Sequence, residues 1–225
     1  MLYNANLISF DRETDSHWSQ ILSESVKGSL ICTKAPRFFV LETTWKAWLE
    51  MFPKTKVVST NTGFQKPYDR STFGLNLTSG SGLIFPIKPR DERLWIYERV
   101  YGVVNERNAK VYQFEQFEKG TQLLVDEFQN EPVVIVGSKE RNFIVSFKQK
   151  QDNTLLNFEI INDPDPSIIM QDAQGNKWNV FGEAVSGPRT GERLIQTESF
   201  MGYWFSFGGF FPDAEIFNNE LLSGG

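Results

Sequence analysis

The chain has 225 residues, a formal net charge of −5 and 23% charged residues, so it is long enough to bury one large core or two small ones. No basic stripe is available to neutralise phosphates, which argues against nucleic-acid binding, and no apolar run is long enough for a transmembrane segment. A single cysteine, Cys32, and a single histidine, His17, exclude an intrachain disulfide and any metal site needing several such ligands.

Twenty phenylalanines and six tryptophans point instead to a β-rich, aromatic core. The first eight residues contain neither a basic region nor an extended apolar core, so no signal peptide is predicted in this chain. Residues 7–11 read as a short strand ending at Asp11. Turn chemistry follows at 13–16, and a run holding Trp18 returns as the second arm of a hairpin. Thr43 and Thr44 then precede Trp45, Trp48, Leu49 and Phe52, an i, i+3, i+4, i+7 stripe. That spacing predicts a short amphipathic helix, capped by threonine and stopped by Pro53.

Residues 60–98, with Pro67, Pro86, Pro89 and the Thr-Ser-Gly-Ser-Gly run from Thr78, read as a connector laid over the surface. Residues 101–104 and 109–114 read as a hairpin across Asn105 to Asn108. Residues 132–136 and 143–147 form another pair, and 155–161 a further strand. Residues 168–172, the turn 173–176 and a run with Trp178 repeat the first hairpin pattern.

The two stretches match beyond these hairpins. Asp11, Trp18, Glu24, Val26 and Gly28 find counterparts in Asp172, Trp178, Glu183, Val185 and Gly187. Twenty-five residues separate Gly28 from Pro53, and 25 separate Gly187 from Pro212. Within that span Lys34 falls on Arg193, Trp45 on Trp204 and Trp48 on Phe207, which predicts a duplicated unit. Gly208 and Gly209 stand where the first stretch has helix formers, so a distorted turn is expected there. The predicted fold is mainly β (α+β with few short helices). Residues 1–59 are the C-terminal half of a first repeat unit, 60–98 the connector, 99–217 a complete second unit and 218–225 a tail.

Catalytic chemistry finds few candidates. His17 aligns with Lys177 beside the hairpin tryptophan, where a solvent-facing side chain is expected. Cys32 aligns with Gly191, which suggests packing rather than a reactive thiolate. The run at Thr78 lacks the Gly-Lys-Ser/Thr ending of a phosphate loop. Asp163-Pro-Asp165-Pro lacks the glycine and terminal glutamate of a calcium loop and reads as a rigid turn. The carboxylates of Asp11 and Glu13 read as a charged hairpin tip. Polar and aromatic residues do gather near the N-terminus, and Tyr3, Asn4, Asp11, Arg12, Trp18 and Gln20 are the candidate binding residues. No catalytic residue, metal ligand or cofactor is assigned.

Those residues also carry a family likeness. The run from Leu2 through Asp11 and Trp18 to Gln20 resembles domain-of-unknown-function family 3179, an uncharacterised prokaryotic family. Trp45-Lys-Ala-Trp48 with Phe52-Pro53 and Val57-Val58-Ser59, then Asn61-Thr-Gly63, continue the likeness. Glu98-Arg-Val-Tyr-Gly102 and Tyr203-Trp204-Phe-x-Phe207 with Phe210-x-Pro212 complete it over nearly the whole chain. The resemblance implies a His-Glu and a Cys-Pro-x-Cys motif ahead of the Leu-Tyr-Asn run, and this chain contains neither. It further implies export, periplasmic or extracellular, if the N-terminus is incomplete.

The residues therefore favour a non-catalytic binding or assembly protein acting through its surface, as an accessory subunit would. A truncated enzyme or redox protein whose active half is absent, or a carbohydrate-binding module using exposed tryptophans, are the alternatives. The first half-unit is expected to pack either on the strands of the second unit or against a protein partner or a second copy in a homo-oligomer, because Phe38, Phe39, Trp45, Trp48 and Phe52 are too apolar to stay open.

Overall fold

Short runs of β-branched and aromatic residues, punctuated by Asn, Asp and Gly, give strands of two to eight residues along the chain. The computed structural model describes residues 1–68, 85–118 and 120–218. β1 (Leu2–Tyr3), β2 (Asn6–Asp11), β3 (Ser16–Ser19) and β4 (Glu24–Lys27) form an antiparallel sheet in chain order, and helix α1 (Trp45–Met51) follows. β5 (Arg99–Asn105) and β6 (Asn108–Gln113) make a hairpin. β7 (Gln122–Phe128), β8 (Glu131–Ser138) and β9 (Phe143–Lys148) make a meander, beside a small pair, β10 (Lys150–Gln151) and β11 (Thr154–Leu155). β12 (Phe158–Ile160), β13 (Ile168–Asp172), β14 (Lys177–Asn179) and β15 (Ala184–Ser186) form a second four-stranded sheet. β16 (Ser199–Tyr203) leads into helix α2 (Trp204–Phe210) and β17 (Glu215–Ile216), and the last mixed sheet runs β16-β5-β6-β17.

That mixed sheet is the hub, because both its faces are buried. Tyr101, Val103 and Tyr112 pack on Val133, Ile135 and Ile144 of the meander. Val100, Val104 and Val111 pack on Trp204, Phe207 and Phe211, together with Leu22 from the N-terminal segment. A third cluster joins Phe147, Trp178, Val180 and Leu194 to Ala47 and Met51 of α1. The two helices are thus exchanged: α1 sits on the sheet built around Trp178, and α2 on residues of the N-terminal segment. Asn6 contacts Ser206 of α2 (2.9 Å) and Tyr3 meets Phe210 edge-on.

The hairpins predicted from alternation are present, and so is α1, where Thr44 accepts from the Ala47 amide at 3.2 Å. Three expectations need correction. Gly208 and Gly209 lie in a regular seven-residue helix rather than a distorted turn. The glycines serve close packing: a Cβ on Gly208 would stand 2.7 Å from Asp91, so burial of Trp204 and Phe207 outweighs poor helix propensity. Ala47 and Met51 are the buried residues of α1, while Trp48 and Phe52 of its stripe are half-buried against Phe181 and Trp45 is exposed. Residues 155–161 break into two short strands around buried Leu156. His17 is half-buried against Phe10, ring centroids 5.2 Å apart, because both lie on one face of a cross-strand pair. The run at Thr78 falls outside the described residues, while Tyr97 of the predicted connector is buried.

The stretches 11–58 and 172–217 share geometry as well as spacing. Trp18 pairs with Ser9 and Ser25, and Trp178 with Met170 and Ala184; in both sheets the register slips just before that tryptophan. From Gly28 and Gly187 onward the shift is constant (187 − 28 = 159). Both glycines take positive φ, 103° and 98°, and a Cβ on either would strike the backbone of the preceding hairpin turn. Bridges Glu24–Lys34 and Glu183–Arg193 coincide. Arg37 donates to Leu22 O (3.1 Å), and its counterpart Gln196 donates to Phe181 O (3.3 Å).

Cys32 and Gly191 occupy one such matched position, with φ of 67° and 91° and the same hydrogen bond to Ser25 O or Ala184 O. A side chain is disfavoured in this left-handed region, and Cys32 is exposed. Cys32→Gly should therefore stabilise the protein by about 0.5–1 kcal/mol in urea unfolding, the relief of strain exceeding the added chain entropy. A loss of stability would mean that the thiol packs against something.

Candidate functional site

The six candidate binding residues do not converge. Tyr3 is exposed beside Phe210, and Asn4 is buried. The Asn4 side chain donates to Gly209 O (2.8 Å) and Lys88 O (3.1 Å) and accepts from the Lys88 amide (3.0 Å), which clamps α2 to residue 88. Asp11 and Arg12 lie at the other end of β2, roughly 17 Å away at strand rise. Asp11 accepts from Thr14 Oγ1 and the Glu13 amide (2.9 Å), and these bonds hold its carboxyl below the usual range. Its geometry is that of a turn-former. Trp18 is half-buried in β3, and Gln20 alone of the six lines the large cleft described below. Among the described residues no three His, Cys, Asp or Glu side chains gather as metal ligands, and no helix is long and apolar enough to cross a membrane.

Two other features stand out. The first is an uncovered apolar face around α1. Trp204 is fully buried, but its counterpart Trp45 is 53% exposed. Phe217 is 7% exposed and its counterpart Val58 is 89% exposed; beside it Val57, which matches Ile216 of β17, is 69% exposed. The cause is visible in the topology. In the second stretch, residues 195–197 bond to β9, β16 pairs with β5, and β17 pairs with β6. Among the described residues, no strand pairs with the matching residues 36–44 and 56–57. Phe38 and Val40 are consequently 83% and 79% exposed. Phe38 and Trp45 stand out in the sequence for their apolarity, whereas Val40, Val57 and Val58 become legible only beside β16 and β17.

The second feature is a cleft of about 1040 Å³ between residues 20–39 and β16. Its rim carries Lys34, bonded to Glu24 (2.6 Å), and Arg37, bonded to Glu198. Thr197 and Ser199 reach from its wall to a buried hydroxyl cluster. The Tyr101 hydroxyl is 2.8 Å from Ser146 Oγ and 2.6 Å from Ser199 Oγ, and Thr197 completes the group. Burial pushes the Tyr101 phenol up, so it remains a neutral hydroxyl. This cluster ties β5, β9 and β16 together behind the cleft.

Glu24 connects the N-terminal sheet to the hub. It is buried, and besides Lys34 it bonds Arg107 at the tip of the β5–β6 hairpin. The hydrogen bond from Lys34, with Arg107 nearby, holds its carboxyl below the ordinary 4.5. A lowered folded value stabilises the protein above the unfolded pKa, and that stability is lost as pH falls through the folded one. Acid unfolding of the native chain should therefore steepen below the ordinary 4.5, and Glu24→Gln should flatten that limb. Superimposable acid limbs would exclude this role.

These features define an aromatic-rich, mainly-β protein in which five small sheets and two seven-residue helices are described. Residues 1–214 match the family model described as Protein of unknown function (DUF3179), and the chain belongs to that family. No curated protein and no solved structure matches it.

Proposed function

We propose that this is a non-catalytic binding or assembly protein whose working surface is the uncovered face of α1, and that the face receives a β-hairpin from a partner polypeptide. The observation that carries this reading is the contrast between counterparts: Trp45 against Trp204, and Val58 against Phe217. In this reading the two stretches are copies of one unit. The β5–β6 hairpin covers the second copy, and the first copy presents the same surface open.

The chemistry of the occupant follows from that hairpin. Its inner positions are Val100, Val104 and Val111, so the partner strands carry β-branched or other apolar residues on one face. At Gly102 a Cβ would stand 2.0 Å from the Phe207 ring, so the partner needs a glycine opposite Trp48. One partner strand runs antiparallel beside residues 40–44, as β5 does beside β16. The other runs parallel beside residues 56–57, as β6 does beside β17. Burying such a patch yields roughly 25 cal/mol per Å² before the costs of ordering.

A backbone-cyclised peptide carrying residues 98–114 is the direct probe. Titrated into the intact chain, it should bind saturably and shift tryptophan emission to the blue as Trp45 is covered. The double variant Val57→Asp/Val58→Asp should weaken binding by about tenfold or more. No saturable binding, or equal binding by the variant, would count against the proposal.

A further inference from the structure

We infer that the cleft beside β16 is a separate peptide-binding site, in which an uncharged extended segment adds to β16 as a fifth strand of the hub sheet. The phase of the ladder supports this. Val104 N–H donates to Glu198 O and Trp204 N–H to Glu98 O, each at 2.8 Å, at the two ends of the β16–β5 pairing. Residues 198, 200, 202 and 204 thus face β5, because bonded and non-bonded positions alternate in an antiparallel pair. Ser199 and Met201 turn their N–H and C=O groups the other way, as Tyr203 does its N–H, and all three residues line the cleft.

The side chains leave that edge clear. Phe200 stacks on Phe207 with centroids 4.7 Å apart, and Met201 packs towards the meander. Sheet edges are normally blunted by charge or proline, yet Ser199-Phe200-Met201-Gly202-Tyr203 contains neither. Gln20, Ile21 and Phe39 line the same cleft. A volume of about 1040 Å³ is at the upper end of ligand sites, and five strand residues span roughly 17 Å.

Only an extended backbone offers donors and acceptors at the repeat that the β16 edge presents, which identifies a peptide rather than a sugar or nucleotide. The rim cations Lys34 and Arg37 are each bonded to a carboxylate already, so the peptide needs no charge of its own. Main-chain bonds supply the affinity, and the aromatic wall selects alternate side chains.

The probe is N-acetyl-Thr-Val-Thr-Val-Thr-amide added to the intact chain at up to about 1 mM. Amide exchange at Ser199, Met201 and Tyr203 should slow on addition, while Phe200 and Gly202, already bonded to β5, should be unchanged. Two analogues, N-methylated either at both valines or at all three threonines, separate main-chain recognition from general stickiness. One should bind within about threefold of the parent and the other should lose binding by tenfold or more. Absence of binding, protection elsewhere in the chain, or equal affinity of the two analogues would overturn the inference. None of these outcomes bears on the α1 face, which the Val57→Asp/Val58→Asp variant reports separately.

Discussion

Asp172→Ala is expected to cost about 3–5 kcal/mol in urea unfolding, among the largest losses available from a single polar side chain here. The carboxyl of Asp172 is buried and accepts from the amides of Gln174 (2.9 Å) and Asn176 (3.1 Å), from Asn176 Nδ2 and from Trp178 Nε1 (3.0 Å). Removing it strands several donors away from water, including the indole of a fully buried tryptophan. Asn176 is itself held against Arg189, so the turn that closes β13 and β14 would loosen with it. Its counterpart Asp11 lies in an open turn and bonds only its neighbours Glu13 and Thr14, so Asp11→Ala should have a far smaller effect. Similar losses at the two sites would mean that Asp172 is wetter than its surroundings indicate.

The second large effect is Trp204→Ala, expected to cost about 3–5 kcal/mol, set against Trp45→Ala at less than about 1 kcal/mol. Trp204 is wholly enclosed by the β5–β6 hairpin and donates its indole N–H to Asp91 O at 3.1 Å. Arg93 lies over its ring at 5.3 Å. Trp45 occupies the matching place at the start of α1 with none of this cover. Equal costs, measured by chemical unfolding under the same conditions, would show that α1 is as enclosed as α2 and would remove the basis for a docking face.

Much of the fold was legible because local signals agreed with it. The hairpin at 99–113 turns on Glu106 and Arg107, with Glu106 in the left-handed region, between two alternating runs. Thr44 and Pro53 bracket α1 as capping chemistry requires. The failures have physical causes too. Gly208 and Gly209 argue against a helix locally, and only tertiary packing on Asp91 and Asn4 explains them. β7 lacks clean alternation because residues 122–127 are half-buried or exposed along its length, so period-2 patterning is weak there. The stripe of α1 marks an apolar surface without saying what covers it: Trp48 and Phe52 are half-buried against Phe181, and Trp45 is exposed. The site was harder still. Tyr3 and Asn4 read as ligand-binding by composition, whereas Asn4 is a structural clamp. The β16 edge is invisible in sequence, because which backbone groups are unpaired depends on register.

The most direct test of the docking face is residue-resolved amide exchange at Leu41 and Thr43, the counterparts of Phe200 and Gly202. In the free chain both amides should exchange close to the unprotected rate, while Phe200 and Gly202 are slowed by about a hundredfold or more. Saturating the face with the cyclised 98–114 hairpin should protect Leu41 and Thr43 and leave Val40 and Glu42 fast, the alternation that one added antiparallel strand imposes. Protection of Leu41 and Thr43 in the free chain, or none after the hairpin binds, would contradict the assignment of this surface as an open strand-docking site.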